Sequence, residues 1–128
     1  MEGAKKILLV EDEPILSNLL RQRLEKENFR VTLAHDGDEA VKILKQEKPD
    51  LVFLDIILPK MSGFEVMEVI KNDPTLQSTP VIVVSNLGQE SDVARGQSLG
   101  AIGYFVKSQL SIEDLVSKIK EFLQTNVV

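Results

Sequence analysis

No cysteine occurs among the 128 residues. Disulfides, thiolate metal sites and thiol catalysis are therefore excluded, and redox chemistry assigns no compartment. A basic surplus is also missing. Fifteen Lys and Arg stand against twenty Asp and Glu, a net charge of −5, which argues against direct nucleic-acid binding. No apolar run reaches membrane-spanning length, and the longest is broken by Asp55. The N-terminus, MEGAKKILLV, has neither the length nor the small-residue cleavage site of a signal peptide. No linker, low-complexity segment or repeat interrupts the chain. These absences lead to the expectation of a cytoplasmic protein without a membrane segment, one domain over 1–128 with its core at about 5–123. The lone histidine, His35, follows the second predicted strand and reads as an exposed polar residue.

What is present is a strand–helix alternation, repeated five times. Short apolar runs bounded by turn residues predict buried strands at Ile7–Val10, Phe29–Ala34, Leu51–Leu54, Val81–Val84 and Ile102–Val106. Between them run helical stripes. Pro14 suits a first helical turn, and Ile15, Leu16, Leu19, Leu20 and Leu24 follow it. Asp36 and Gly37 mark a turn before Ala40, Val41, Ile43 and Leu44. Phe64, Met67 and Ile70 define a third helix, and residues 89–98 a fourth with a thin stripe weakened by Gly96. Ser111 with Asp114 three residues on resembles a capping box for the last helix, where Ile112, Leu115, Val116, Ile119 and Phe122 form the clearest stripe. Strands apolar throughout, alternating with helices, imply an α/β fold with a parallel sheet covered on both faces.

In such a sheet, ligands bind beyond the carboxyl ends of the strands. The residues there are Glu11, Asp12 and Glu13 after the first strand, His35 and Asp36 after the second, Asp55 after the third, Ser85 and Asn86 after the fourth, and Lys107 after the fifth. Each has an ordinary reading alone. A strand-end Asp commonly caps a turn, and acids before a helix favour its dipole. Gathered on one rim they point further. Glu11, Asp12 and Asp55 together would repel one another unless a cation sits among them. Oxygen donors without cysteine select a hard ion, Mg²⁺ first, with Mn²⁺ or Ca²⁺ as alternatives. A carboxylate beside such an ion can attack phosphorus, and the ion, the Lys107 ammonium and the Ser85 hydroxyl are suitable partners for the phosphoryl oxygens.

The motifs LLVEDEP, LVFLDIILPKMSG, VIVVSN and GAIGYFVKS carry a resemblance to the response-regulator receiver domain, the CheY-like phospho-acceptor of two-component signalling. The likeness runs from about Lys5 to Leu123. It implies a doubly wound, flavodoxin-like sheet of five parallel strands in the order 2-1-3-4-5. It also implies that Asp55 is the phosphorylated residue, and that Glu11 and Asp12 hold Mg²⁺ with Asp55 and the Ile57 carbonyl. Ser85 and Tyr104 would be the switch residues, and Lys107 the lysine that pairs with the phosphoryl group. The implied partners are a sensor histidine kinase or phosphotransfer protein and an output protein. The output protein would meet the face of helix four, strand five and helix five, with a phosphorylation-linked homodimer as a further form. Such a chain is a signalling acceptor rather than an enzyme acting on other substrates.

Three departures from the family pattern stand out. Receivers usually carry proline after the lysine, with a cis bond, and this chain has Ser108. A retained cis bond is expected here, although before a non-proline residue it costs about 3–4 kcal/mol. Asn86 stands where a small residue is usual and is expected to crowd the phosphoryl entry. Ile57 and Leu87, each two residues beyond a site residue, cannot orient a hydrolytic water, so a long-lived aspartyl-phosphate is expected. The competing reading is a degenerate receiver, an interaction module that is never phosphorylated. An enzyme or flavin carrier on the same sheet is disfavoured. The acidic EDEP segment would repel a flavin phosphate, and Ile57 is not the second acid a phosphatase would need.

Overall fold

A computed structural model describes residues 3–125. The elements run β1 (Lys6–Val10), α1 (Pro14–Lys26), β2 (Arg30–Ala34), α2 (Gly37–Glu47), β3 (Leu51–Leu54), α3 (Gly63–Asn72), β4 (Val81–Ser85), α4 (Glu90–Ser98), β5 (Gly103–Val106) and α5 (Ile112–Thr125). All five strands are parallel, in the order β2-β1-β3-β4-β5. This is the predicted single α/β domain. The predicted strand limits differ from the observed ones by a residue at four of the five strands.

The alternation of side chains along the strands divides the core in two. Leu8, Val10, Val52, Leu54, Val81 and Val83 point to one face, where Ala40 and Leu44 of α2 and Phe64, Met67 and Ile70 of α3 cover them. Ile7, Leu9, Leu51, Phe53, Ile82 and Val84 point to the other, under Leu20 and Leu24 of α1 and Leu115, Val116, Ile119 and Leu123 of α5. Every residue of β3 and β4 is buried. That is why these strands read as unbroken apolar blocks.

Several helix starts are built from side chains. Ser62 and Glu65 form a complete capping box on α3, and Asp36 accepts from the Glu39 N–H at 2.8 Å to cap α2. The α5 start follows the expectation, with Ser111 Oγ accepting from the Asp114 N–H and the Asp114 carboxylate accepting from the Ser111 N–H. The stripe expected on α1 is wider than its contact with the core. Ile15 and Leu19 are exposed.

The expected cis bond is absent. Among the described residues no peptide bond is cis, so Lys107–Ser108 is trans. Without a pyrrolidine ring, the cis form carries its full penalty. The chain instead enters a single 3₁₀ turn, Lys107–Gln109, in which Leu110 donates to the Lys107 carbonyl.

Candidate phosphoryl and metal site

Register brings the acids together. Val10 lies opposite Leu54 across β1 and β3, so Glu11 and Asp55 leave the sheet side by side. The backbone pairing continues one step past the strands, because the Asp55 N–H donates to the Val10 carbonyl at 3.1 Å. Asp12 follows, and oxygens of Glu11, Asp12 and Asp55 all lie within 4.8 Å of one another. Glu11 and Asp55 are buried, while Asp12 faces solvent.

Lys107 arrives from the far edge of the sheet. Its Nζ stands 2.7 Å from Asp55 Oδ2 and 2.8 Å from Glu11 Oε1. The Asp55 contact has hydrogen-bond geometry; the Glu11 contact is an ion pair off that line, and Glu11 Oε1 has no directed donor. The other Asp55 oxygen, Oδ1, accepts from the Ile57 N–H at 3.2 Å, and the second Glu11 oxygen accepts from the Glu13 N–H at 3.1 Å. Burial pushes the Glu11 carboxyl above its ordinary value, a rise that Lys107 and the Glu13 N–H offset only in part and that Asp55 reinforces. Burial works against the Lys107 ammonium, but its hydrogen bond to Asp55 and its ion pair with Glu11 outweigh this and hold its pKa above the ordinary lysine value.

Asp12, Glu13, Asp55, Ile57, Asn86 and Lys107 line a cavity of about 190 Å³. A larger groove of about 370 Å³ lies between the ends of α3 and α4, lined largely by apolar side chains. Its one titratable side chain, Lys71, is engaged on the Ser98 carbonyl, whereas the smaller cavity gathers Asp12, Glu13, Asp55 and Lys107. The donor set fits a divalent cation. Three carboxylates against one ammonium leave two negative charges uncompensated, and Glu11 Oε1 is a buried oxygen still without a directed partner. Oxygen ligands at a site that Asp12 opens to solvent suit Mg²⁺ or Mn²⁺.

Not every expected residue joins this cluster. Ser85 is buried at the end of β4, where its Oγ accepts from the Leu87 N–H at 3.4 Å, and it is not part of the cavity lining. Tyr104 is half-buried against Gly96 of α4, and its hydroxyl donates to the Leu87 carbonyl. His35 is exposed, as expected, although its Nδ1 lies 3.3 Å from the Glu11 carbonyl. The bond from the Ser108 N–H to Asn86 Oδ1, 3.0 Å, was not legible beforehand. Both positions stood out as departures, but nothing in a linear sequence pairs residues across 22 positions.

The family model described as response regulator receiver domain matches residues 7–120. The phosphate regulon transcriptional regulatory protein PhoB of Rhizobium meliloti (strain 1021) is 40% identical over 119 residues, covering 93% of this chain and 52% of that protein. The alkaline phosphatase synthesis transcriptional regulatory protein PhoP of Bacillus subtilis (strain 168) is 35% identical over 124 residues, covering 97% of this chain and 50% of that protein. The chain thus spans about half the length of the curated relatives it matches. Among solved structures, the Mn²⁺-bound response regulator Rcp1 gives a TM-score of 0.85 at 32% identity, with 97% of each chain covered. The phosphorylated cyanobacterial phytochrome response regulator RcpA gives 0.86 at 35% identity, with 98% of each chain covered. Among the described residues, no helix is long and apolar enough to cross a membrane.

Proposed function

The chain belongs to the response regulator receiver family, and on that premise we propose that it takes a phosphoryl group onto Asp55 from a histidine kinase or a phosphotransfer protein. The observation that carries this reading is the Lys107 ammonium set between Asp55 and Glu11 beside Asp12. A buried carboxylate is held ready, with a cation already at its oxygen. A Mn²⁺-bound relative and a phosphorylated relative support the same reading.

In the transfer, an Asp55 oxygen attacks phosphorus. The new O–P bond forms as the N–P bond to the donor imidazole breaks, and the imidazole keeps the electron pair and gains a proton. The Ile57 N–H on Asp55 Oδ1 fixes the carboxylate plane. Lys107 pairs with the transferred charge, as befits an ammonium already 2.7 Å from the acceptor. Glu11, Asp12, Asp55 and the Ile57 carbonyl would hold a divalent cation, which when bound would neutralise charge on the phosphoryl oxygens. Ser85 leaves the Leu87 N–H and donates its hydroxyl to the phosphoryl group, and Tyr104 follows. The α4–β5–α5 face then takes a new form for an output protein or a second copy of the chain.

The test is intact mass after incubation with Mg²⁺ and acetyl phosphate, with Asp55→Ala alongside. One added phosphoryl group on the parent alone is the expected result. No adduct on the parent would overturn the reading and favour the unphosphorylated interaction module. Dimerisation on phosphorylation is read in the same samples by light scattering.

A further inference from the structure

The ends of β4 and β5 are tied to each other beyond the sheet. Ser85 pairs with Val106 in register, so Asn86 and Lys107 leave the sheet as neighbours. The Asn86 side chain reaches one residue further, and its Oδ1 accepts the Ser108 N–H. A packing contact lies beside this bond. A Cβ on Gly88 would stand 2.9 Å from Val106 Cγ2, so the loop after β4 rests directly on the end of β5. The loop that follows Ser85 therefore holds the turn that carries Lys107 at two points.

The hydrogen bond needs both departures at once. A proline at 108 would have no N–H to donate, and a small apolar residue at 86 would have no side-chain acceptor. Each alone looks like a defect in the site; together they make a clamp. Lys107 needs one, because its four-carbon stem is flexible and its Nζ must meet two carboxylates at 2.7 and 2.8 Å. The clamp also keeps Asn86 at the cavity wall, beside Asp12, Asp55 and Ile57.

We propose that Asn86 is a positioning residue for Lys107: its side-chain carbonyl holds the Ser108 N–H, which fixes the 3₁₀ turn and sets the ammonium on Asp55 and Glu11. The kinetic part of the test rests on the phospho-acceptor reading; the spectroscopic part does not.

The experiment compares the parent with Asn86→Ala, Ser108→Pro and the double variant. Without any donor, NMR reads amide exchange at Ser108 and the ¹⁵N ammonium resonance of Lys107. In Asn86→Ala the Ser108 amide exchanges about tenfold faster, and the Lys107 signal collapses toward that of solvated lysines. With acetyl phosphate and Mg²⁺, the limiting rate of adduct formation falls about tenfold, whatever happens to the half-saturating donor concentration, which reports the space Asn86 fills. Ser108→Pro lowers the limiting rate alone but adds nothing to Asn86→Ala, since both break one bond. An unchanged Lys107 resonance in Asn86→Ala, an unchanged or rising limiting rate, or additive losses in the double variant would each overturn the proposal. A parent that forms no adduct would sink the phospho-acceptor reading instead, and the Lys107 and Ser108 signals would still decide the role of Asn86.

Discussion

Ser85 and Tyr104 are joined through one residue. The Leu87 N–H donates to Ser85 Oγ, and the Leu87 carbonyl accepts from the Tyr104 hydroxyl. A hydroxyl that leaves Leu87 for the reactive cavity therefore releases one end of a segment whose other end holds the aromatic ring. Ser85→Ala breaks this link without adding bulk. It is expected to cost about 1 kcal/mol and to change the emission of Tyr104. With one tyrosine and no tryptophan in the chain, that signal has a single source. Unchanged emission would mean that the two residues are not coupled.

The same phenol gives a pH prediction. Burial, then the negative charges of Asp92 and Asp55, raise the Tyr104 pKa above the ordinary 10.0. A group raised on folding favours the folded state while protonated. Its contribution is complete below pH 10.0 and is lost as pH rises through the folded value. Alkaline titration of phenolate absorbance should show a midpoint above that of the unfolded chain in denaturant. Coincident midpoints would contradict the burial of the ring.

Lys107→Gln removes the ammonium that compensates two buried carboxylates. Breaking a buried pair from one side costs about 3 kcal/mol or more, so a clear fall in Tm is expected at neutral pH. Mg²⁺ should recover part of the loss, because a divalent cation binds the folded state and takes over charge compensation. Scanning calorimetry with and without Mg²⁺ checks both statements. A Tm unmoved by the substitution would show the pair to be energetically neutral.

Ile57 is 57% exposed at the mouth of the cavity, with its N–H turned to Asp55. Its apolar side chain lines the cavity beside Asp55 and cannot hydrogen-bond a water there. Ile57→Asn keeps the backbone donor and adds a polar group, and should speed loss of the phosphoryl group about tenfold. Decay of the mass adduct after donor removal measures it. An unchanged decay would end the idea of a long-lived phosphate.

Much of this arrangement was legible from the residues. Buried parallel strands must be apolar on both faces, so Leu51–Leu54 and Val81–Val84 announced themselves. The acids and the lysine were legible because a parallel sheet collects its strand ends on one rim. Ile15 and Leu19 were misjudged because helical periodicity reports which residues are apolar, not how much of a helix surface the sheet covers. The Ser62–Glu65 box was missed inside a stretch read as a turn, although its spacing was in plain view. The bond at Ser108 was misjudged because the family's cis proline was given more weight than the cost of a cis bond before serine, and its partner Asn86 was beyond reach because their contact is made through space.

Lys107 and Asp55 belong to strands that are not neighbours, since β4 lies between β3 and β5. The ammonium must cross two strand spacings, about 9.6 Å, and so arches like a strut over the end of β4. What sits beneath a strut has limited headroom. Ser85, the last residue of β4, is small and wholly buried. Anything that thickens this point has to lift the lysine before it disturbs the acids. The end of β4 thereby sets the height at which the charge of Lys107 is delivered, although it contributes no charge of its own.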